Sequence, residues 1–89
     1  MLVHNPEQLI IAIRVNLPRI VRSRVRVVTK TLAPTKYQPK VLCLNWYFRG
    51  NLVGQIVLTK MKRGYEVDST SINHLIKSFY RRELYHVKV

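Results

Sequence analysis

Twelve lysines and arginines lie between Gln8 and Tyr65 with no aspartate or glutamate among them, so the chemistry most available to this chain is attraction of anions. Over the 89 residues, Lys and Arg number 16 against four acids (Glu7, Glu66, Asp68 and Glu83), a formal net charge of +12. Soluble surfaces ordinarily mix both signs, and a surplus of this size repels itself until it meets a polyanion. Nucleic acid is the commonest polyanion. Acidic proteins and anionic membranes compete with it.

The basic residues also group by position. Arg22, Arg24 and Arg26 alternate with other residues, which on a β-strand sets them along one side at repeats of about 6–7 Å, near the phosphate spacing of a nucleic-acid strand. Lys60, Lys62 and Arg63 fall together, as do Lys77, Arg81 and Arg82, and Lys36 and Lys40 flank Tyr37. An exposed ring can stack on an unpaired base, and Tyr37 and Tyr47 are the candidates for that contact.

Other chemistries find little support. The four acids are spread through the chain and read as caps and surface groups rather than an acid/base pair. His4, His74 and His86 lack metal-ligand spacing with one another or with Cys43. A single cysteine excludes an intrachain disulfide, and inside a strand it reads as a small apolar filler. Gly50, Gly54 and Gly64 do not compose a phosphate-binding loop. No enzyme, cofactor or metal is expected.

What must position the basic groups is a small fold. Hydrophobic residues make up 47% of the chain, enough for one domain over residues 1–89 and too many for a disordered basic tail. The longest apolar run, Leu9 to Ile13, is five residues, far from the ~20 needed to cross a bilayer. The amino-terminal residues lack the pattern of a secretory signal, so an intracellular setting is expected, cytoplasmic or nucleoid/nuclear.

Asn5-Pro6-Glu7 reads as a helix start: a cap, a residue pre-set for the first helical position, and an acid at the positive end of the dipole. Leu9, Ile10, Ile13, Leu17, Ile20 and Val21 then follow helical spacing, although the β-branched run also suits a strand and Pro18 leaves the helix length open. Alternation predicts a strand over Arg22–Leu32 with Val25 and Val27 opposite the arginines, a proline-bearing loop, and a second strand over Val41–Phe48. Gly50-Asn51 fits a two-residue hairpin turn into Leu52–Met61. Counting outward from that turn places Phe48 opposite Val53, Trp46 opposite Gln55, Leu44 opposite Val57 and Tyr47 opposite Gly54. A last helix starts in Asp68-Ser69-Thr70-Ser71 and carries the stripe Ile72, Leu75, Ile76, Phe79 and Tyr80, and Leu84–Val89 could return as an edge strand.

The expected fold is therefore α+β, in the order α-β-β-β-α with an optional last β, its antiparallel sheet carrying helices on one face. In topology alone this order resembles the double-stranded-RNA-binding domain, with Asp68 and serines standing where that family has a basic cluster. The segment from Arg49 to Ile56 is similar to the basic-glycine signature of RNA-recognition motifs, with Asn51 and Val53 at positions the signature gives to other residues.

The function expected from these residues is nucleic-acid binding through phosphate contacts, RNA slightly favoured over DNA, with Arg22, Arg24, Arg26, Lys36, Tyr37, Lys40, Tyr47, Lys60, Lys62, Arg63, Lys77, Arg81 and Arg82 as the contact residues. The alternative is a protein-interaction module, including a small phage or viral inhibitor, docking on an acidic protein or ribonucleoprotein surface. A homodimer would hide any uncovered apolar edge or stripe.

Overall fold

The computed structural model describes the backbone of residues 1–32, 36–37 and 40–87 and the side chains of these up to Arg81. The elements follow as β1 (Leu2–Val3), α1 (Pro6–Val15), α2 (Arg19–Arg22), β2 (Val25–Leu32), β3 (Val41–Phe48), β4 (Asn51–Met61), β5 (Gly64–Val67) and α3 (Ser69–Val87). The five strands form one sheet in the order β1-β5-β4-β3-β2, every neighbouring pair antiparallel. The molecule is a small single α+β domain, as its hydrophobic patterning implied.

Asn5 caps α1 as its position suggested: its Oδ1 accepts the Gln8 backbone N–H at 2.9 Å, and Pro6 opens the helix. Pro18 ends the question of length, because it sits at the N-cap of the separate one-turn α2 with φ −53° and ψ 139°, an extended geometry that breaks the helix. Leu9, Ile13, Leu17 and Val21 nevertheless keep one buried stripe across the break. Two arginines hold this elbow. Arg22 donates from Nε to the Leu17 carbonyl at 3.0 Å and from Nη2 to that of Val15 at 2.8 Å. Arg14 donates from Nη1 to the carbonyls of Arg22 and Val25 at 2.9 and 3.1 Å. Carbonyls that a helix end leaves without partners are thus met by guanidinium groups, which also suit its negative pole.

Three expectations change. The first basic strand begins at Val25, not Arg22, because Arg22 closes α2 and Arg24 lies in the following turn, its N–H donating to the Val21 carbonyl at 2.9 Å. The hairpin turns one residue early: Phe48 pairs with Asn51, leaving Arg49 (φ 55°) and Gly50 (φ 79°) as two left-handed central residues of the type I′ kind. A register shift beside Trp46 and Tyr47 then places Trp46 opposite Gly54, Leu44 opposite Ile56, and Tyr47 opposite Leu52. One residue of offset exchanges the faces of β4, so Ile56 and Leu58, and not Val57, enter the core. Finally, the expected closing strand is absent: α3 continues through residues 84–87, while Val89 lies outside the described residues. Sheet edge positions go instead to β1 and β2, and β1 and β5 were not foreseen.

All three helices pack on one face. Val25, Leu42, Leu44, Trp46, Phe48, Ile56, Leu58 and Val67 meet Leu9, Ile13, Leu17, Val21, Leu75 and Phe79 in a single core. Gly54 lets α3 approach: a Cβ there would stand 2.8 Å from Leu75 Cδ1. Farther along, the Phe79 and Phe48 rings meet edge to face at 6.2 Å, so α3 runs over β4 toward the β3–β4 turn. Asp68 starts this helix, its carboxylate accepting from the Thr70 N–H at 3.0 Å and the Ser71 hydroxyl at 3.3 Å.

Candidate nucleic-acid interface

With the helices on one side, no described helix covers the other face of the sheet. Register and alternation place Arg26, Val28, Lys30 and Leu32 of β2 on this face beside Tyr47, Asn45, Cys43 and Val41 of β3, followed by Leu52, Gln55, Val57 and Thr59 of β4. Glu66 of β5, opposite Thr59, is the one acid of the described strands and stands on this face far from β2. Asn45 is only 8% exposed here, and its Oδ1 accepts from Gln55 Nε2 at 2.8 Å, which pins the middle of the face.

The long axis of the molecule is 51 Å against 21 and 20 Å across. The β2–β3 hairpin contributes to that length by projecting past the helices: Thr29 and Thr31 point to the helix side yet are exposed. At its tip Lys36 and Tyr37 are exposed, Tyr37 at 88%. Lys40 follows, its carbonyl accepting the Lys60 N–H at 2.8 Å. Because β4 runs antiparallel to β3, the β4–β5 turn bearing Lys62 and Arg63 returns to this same end. With strands spaced ~4.8 Å apart, the two turns lie within roughly 10–15 Å of each other. Topology thus gathers Lys30, Lys36, Tyr37, Lys40, Lys62 and Arg63 at one end of the sheet, from segments far apart in sequence.

The remaining expected contact residues divide differently. Lys60 points to the helix side, with Nζ 4.8 Å from the centre of the Tyr65 ring. Tyr47 is half-buried, and the Arg26 guanidinium lies over its ring, 5.7 Å from the ring centre, at the opposite end of the open face. It faces Leu52, whereas Gly54, its expected neighbour, faces α3. Lys77 and Arg81 are exposed on α3, away from the lysine-rich end, and the Arg82 side chain lies outside the described residues. Arg22 is engaged in the α1–α2 elbow. The expected row of Arg22, Arg24 and Arg26 is therefore not a row: a helix end, a turn and a strand hold its three members.

Sequence reasoning missed Lys30, whose alternation with Arg26 was legible, and the meeting of the two lysine-bearing turns, which needed β5 to be recognised. Tyr65-Glu66-Val67 alternates, but over too few residues to announce a strand. Among the described residues no group of three or more His, Cys, Asp or Glu stands together to hold a metal, and no helix is long and apolar enough to cross a membrane. These features define the class: a small antiparallel α+β domain with a covered sheet face, an open one and a lysine-rich end. No family model, curated protein or solved structure matches the chain.

Proposed function

We propose that the protein binds nucleic acid through its phosphates at the lysine-rich end of the sheet and is not an enzyme. The observation that carries this reading is the convergence of Lys36, Lys40, Lys62 and Arg63 from two separate turns onto one exposed end of a chain with net charge +12. Lysine heads on flexible stems suit sequence-independent phosphate contact. Exposed Tyr37 between them adds a ring for stacking on an unpaired base, which favours single-stranded RNA over duplex DNA. Arg26 with Tyr47 offers a second, smaller contact at the other end of the open face. An intracellular setting, cytoplasmic or nucleoid/nuclear, fits this activity.

Titration of labelled single-stranded RNA and duplex DNA at several salt concentrations tests it. Log affinity should fall steeply with log salt, and changing Lys36, Lys40, Lys62 and Arg63 to glutamine should flatten the slope by roughly one unit per lost contact. A salt-independent affinity, or a slope indifferent to the four changes, would sink the proposal.

A further inference from the structure

The outer edge of β2 offers a different kind of site. The Lys60 N–H bond to the Lys40 carbonyl fixes which way the β3 backbone faces: Lys40 toward β4, and hence Val41, Cys43, Asn45 and Tyr47 toward β2. Their partners Leu32, Lys30, Val28 and Arg26 therefore spend their backbone groups inside the sheet, and Val25, Val27, Thr29 and Thr31 point theirs outward. The Arg14 bond to the Val25 carbonyl agrees with this phase, since that carbonyl is turned away from β3. Arg14 closes the edge at Val25. Val27, Thr29 and Thr31 continue it as a regular row beside which no strand of the sheet lies.

Two further features flank that row. On the helix side, Asn5, Pro6, Glu7 and Ile10 of the α1 amino end form a recess with Thr29, leaving room beside the edge for side chains of an added strand. On the open side, Arg26 and Lys30 stand on either side of exposed Val28. A strand laid along β2 would set alternate residues beside these three.

We propose that the free edge of β2 takes an extended acidic peptide from a protein partner as a sixth strand, with acidic residues beside Arg26 and Lys30 and an apolar residue beside Val28. Backbone bonds to Val27 and Thr29 supply the docking, and the acid-x-apolar-x-acid pattern supplies selection. The pattern is symmetric about Val28, and the peptide runs antiparallel to β2, as every neighbouring pair of this sheet does. A second copy of the chain is disfavoured as the occupant, because it brings +12 against +12 and lines Arg26 and Lys30 beside their own kind. This site shares Lys30 with the lysine-rich end and Arg26 with the smaller contact, but its backbone edge at Val27 and Thr29 belongs to neither, and it gives the acidic-partner alternative a definite place.

The experiment is fluorescence anisotropy of the full chain with a labelled peptide of the pattern Thr-Glu-Thr-Val-Thr-Glu-Thr. Saturable binding is expected, lost at least about tenfold when the amides of the two central threonines, which would face β2, are N-methylated. Methylation of the valine amide, which would face away, should be tolerated. Thr29→Pro removes an outward N–H without touching the β2–β3 ladder, so it should abolish peptide binding and leave RNA affinity unchanged. If that variant fails to fold, Lys30→Glu replaces it, with binding recovered by a peptide carrying lysine in place of one glutamate. Equal affinity for all methylated peptides, no recovery by charge exchange, or a β2-dependent dimer that the peptide does not disperse would each overturn the proposal.

Discussion

Neighbouring residues of β3 live in different surroundings. Leu42, Leu44, Trp46 and Phe48 are buried under the helices, while Val41, Cys43 and Tyr47 on the reverse side are half-buried with no described helix packed over them. Both sets are largely apolar, so apolarity alone does not say which face of this sheet becomes core. The difference comes from the partners. Five aliphatic side chains of α1, the α1–α2 junction, α2 and α3, Leu9, Ile13, Leu17, Val21 and Leu75, and the Phe79 ring converge on one side, whereas the other side has Gln55 and Asn45 bonded to each other at its centre and Arg26 and Lys30 along its border. A polar pair and two cations make the open face tolerable to water.

The sharpest way to break this contrast uses consecutive residues of β4. Ile56 is 0% exposed and Val57 is 47% exposed. Ile56→Ala should cost about 2–5 kcal/mol by urea unfolding, and Val57→Ala less than ~1 kcal/mol. Equal costs would mean that the open face is packed against something in solution. Next, Arg22→Gln should destabilise by about 1–3 kcal/mol through loss of its bonds to the Leu17 and Val15 carbonyls, with nucleic-acid affinity falling no more than one cation's share. A large loss of affinity at unchanged stability would return Arg22 to the binding face. Gly54→Ala should cost about 1–3 kcal/mol, because the new methyl meets Leu75. Combining it with Leu75→Ala should give less than the sum of the two, which a double-mutant cycle reads directly. Smallest of all, Val28→Thr on the open face should shift stability by less than ~0.5 kcal/mol while weakening capture of the acidic peptide.

Much of the helical layer was legible because its signals are local. Asn5, Pro6 and Glu7 announce α1, Asp68 announces α3, and the spacing of Leu9, Ile13, Leu17 and Val21 marks the buried stripe even across Pro18. Strand existence was legible for β3 and β4 for the same reason. The hairpin register was not. Gly50-Asn51 and Arg49-Gly50 both provide a glycine for a two-residue turn, and either turn continued without interruption would set Gln55 and Val57 on the Leu44 side of the sheet. The irregularity beside Trp46 and Tyr47 supplies the single-residue offset that exchanges the faces, and Ile56 and Leu58 are buried in consequence.

The candidate site divides along the same line. Composition alone determined that this chain carries a net charge of +12, and alternation alone determined that Arg26 lies on a strand. Only the tertiary structure decided that Arg22 serves the α1–α2 elbow, that turns more than twenty residues apart bring Lys36 and Lys62 to one end, and that β2 keeps an open edge. The physical reason is range. Charge and periodicity are properties of a residue and its near neighbours, whereas register, strand order and the fate of a guanidinium are settled by backbone groups and apolar surfaces that meet only when the whole sheet has closed.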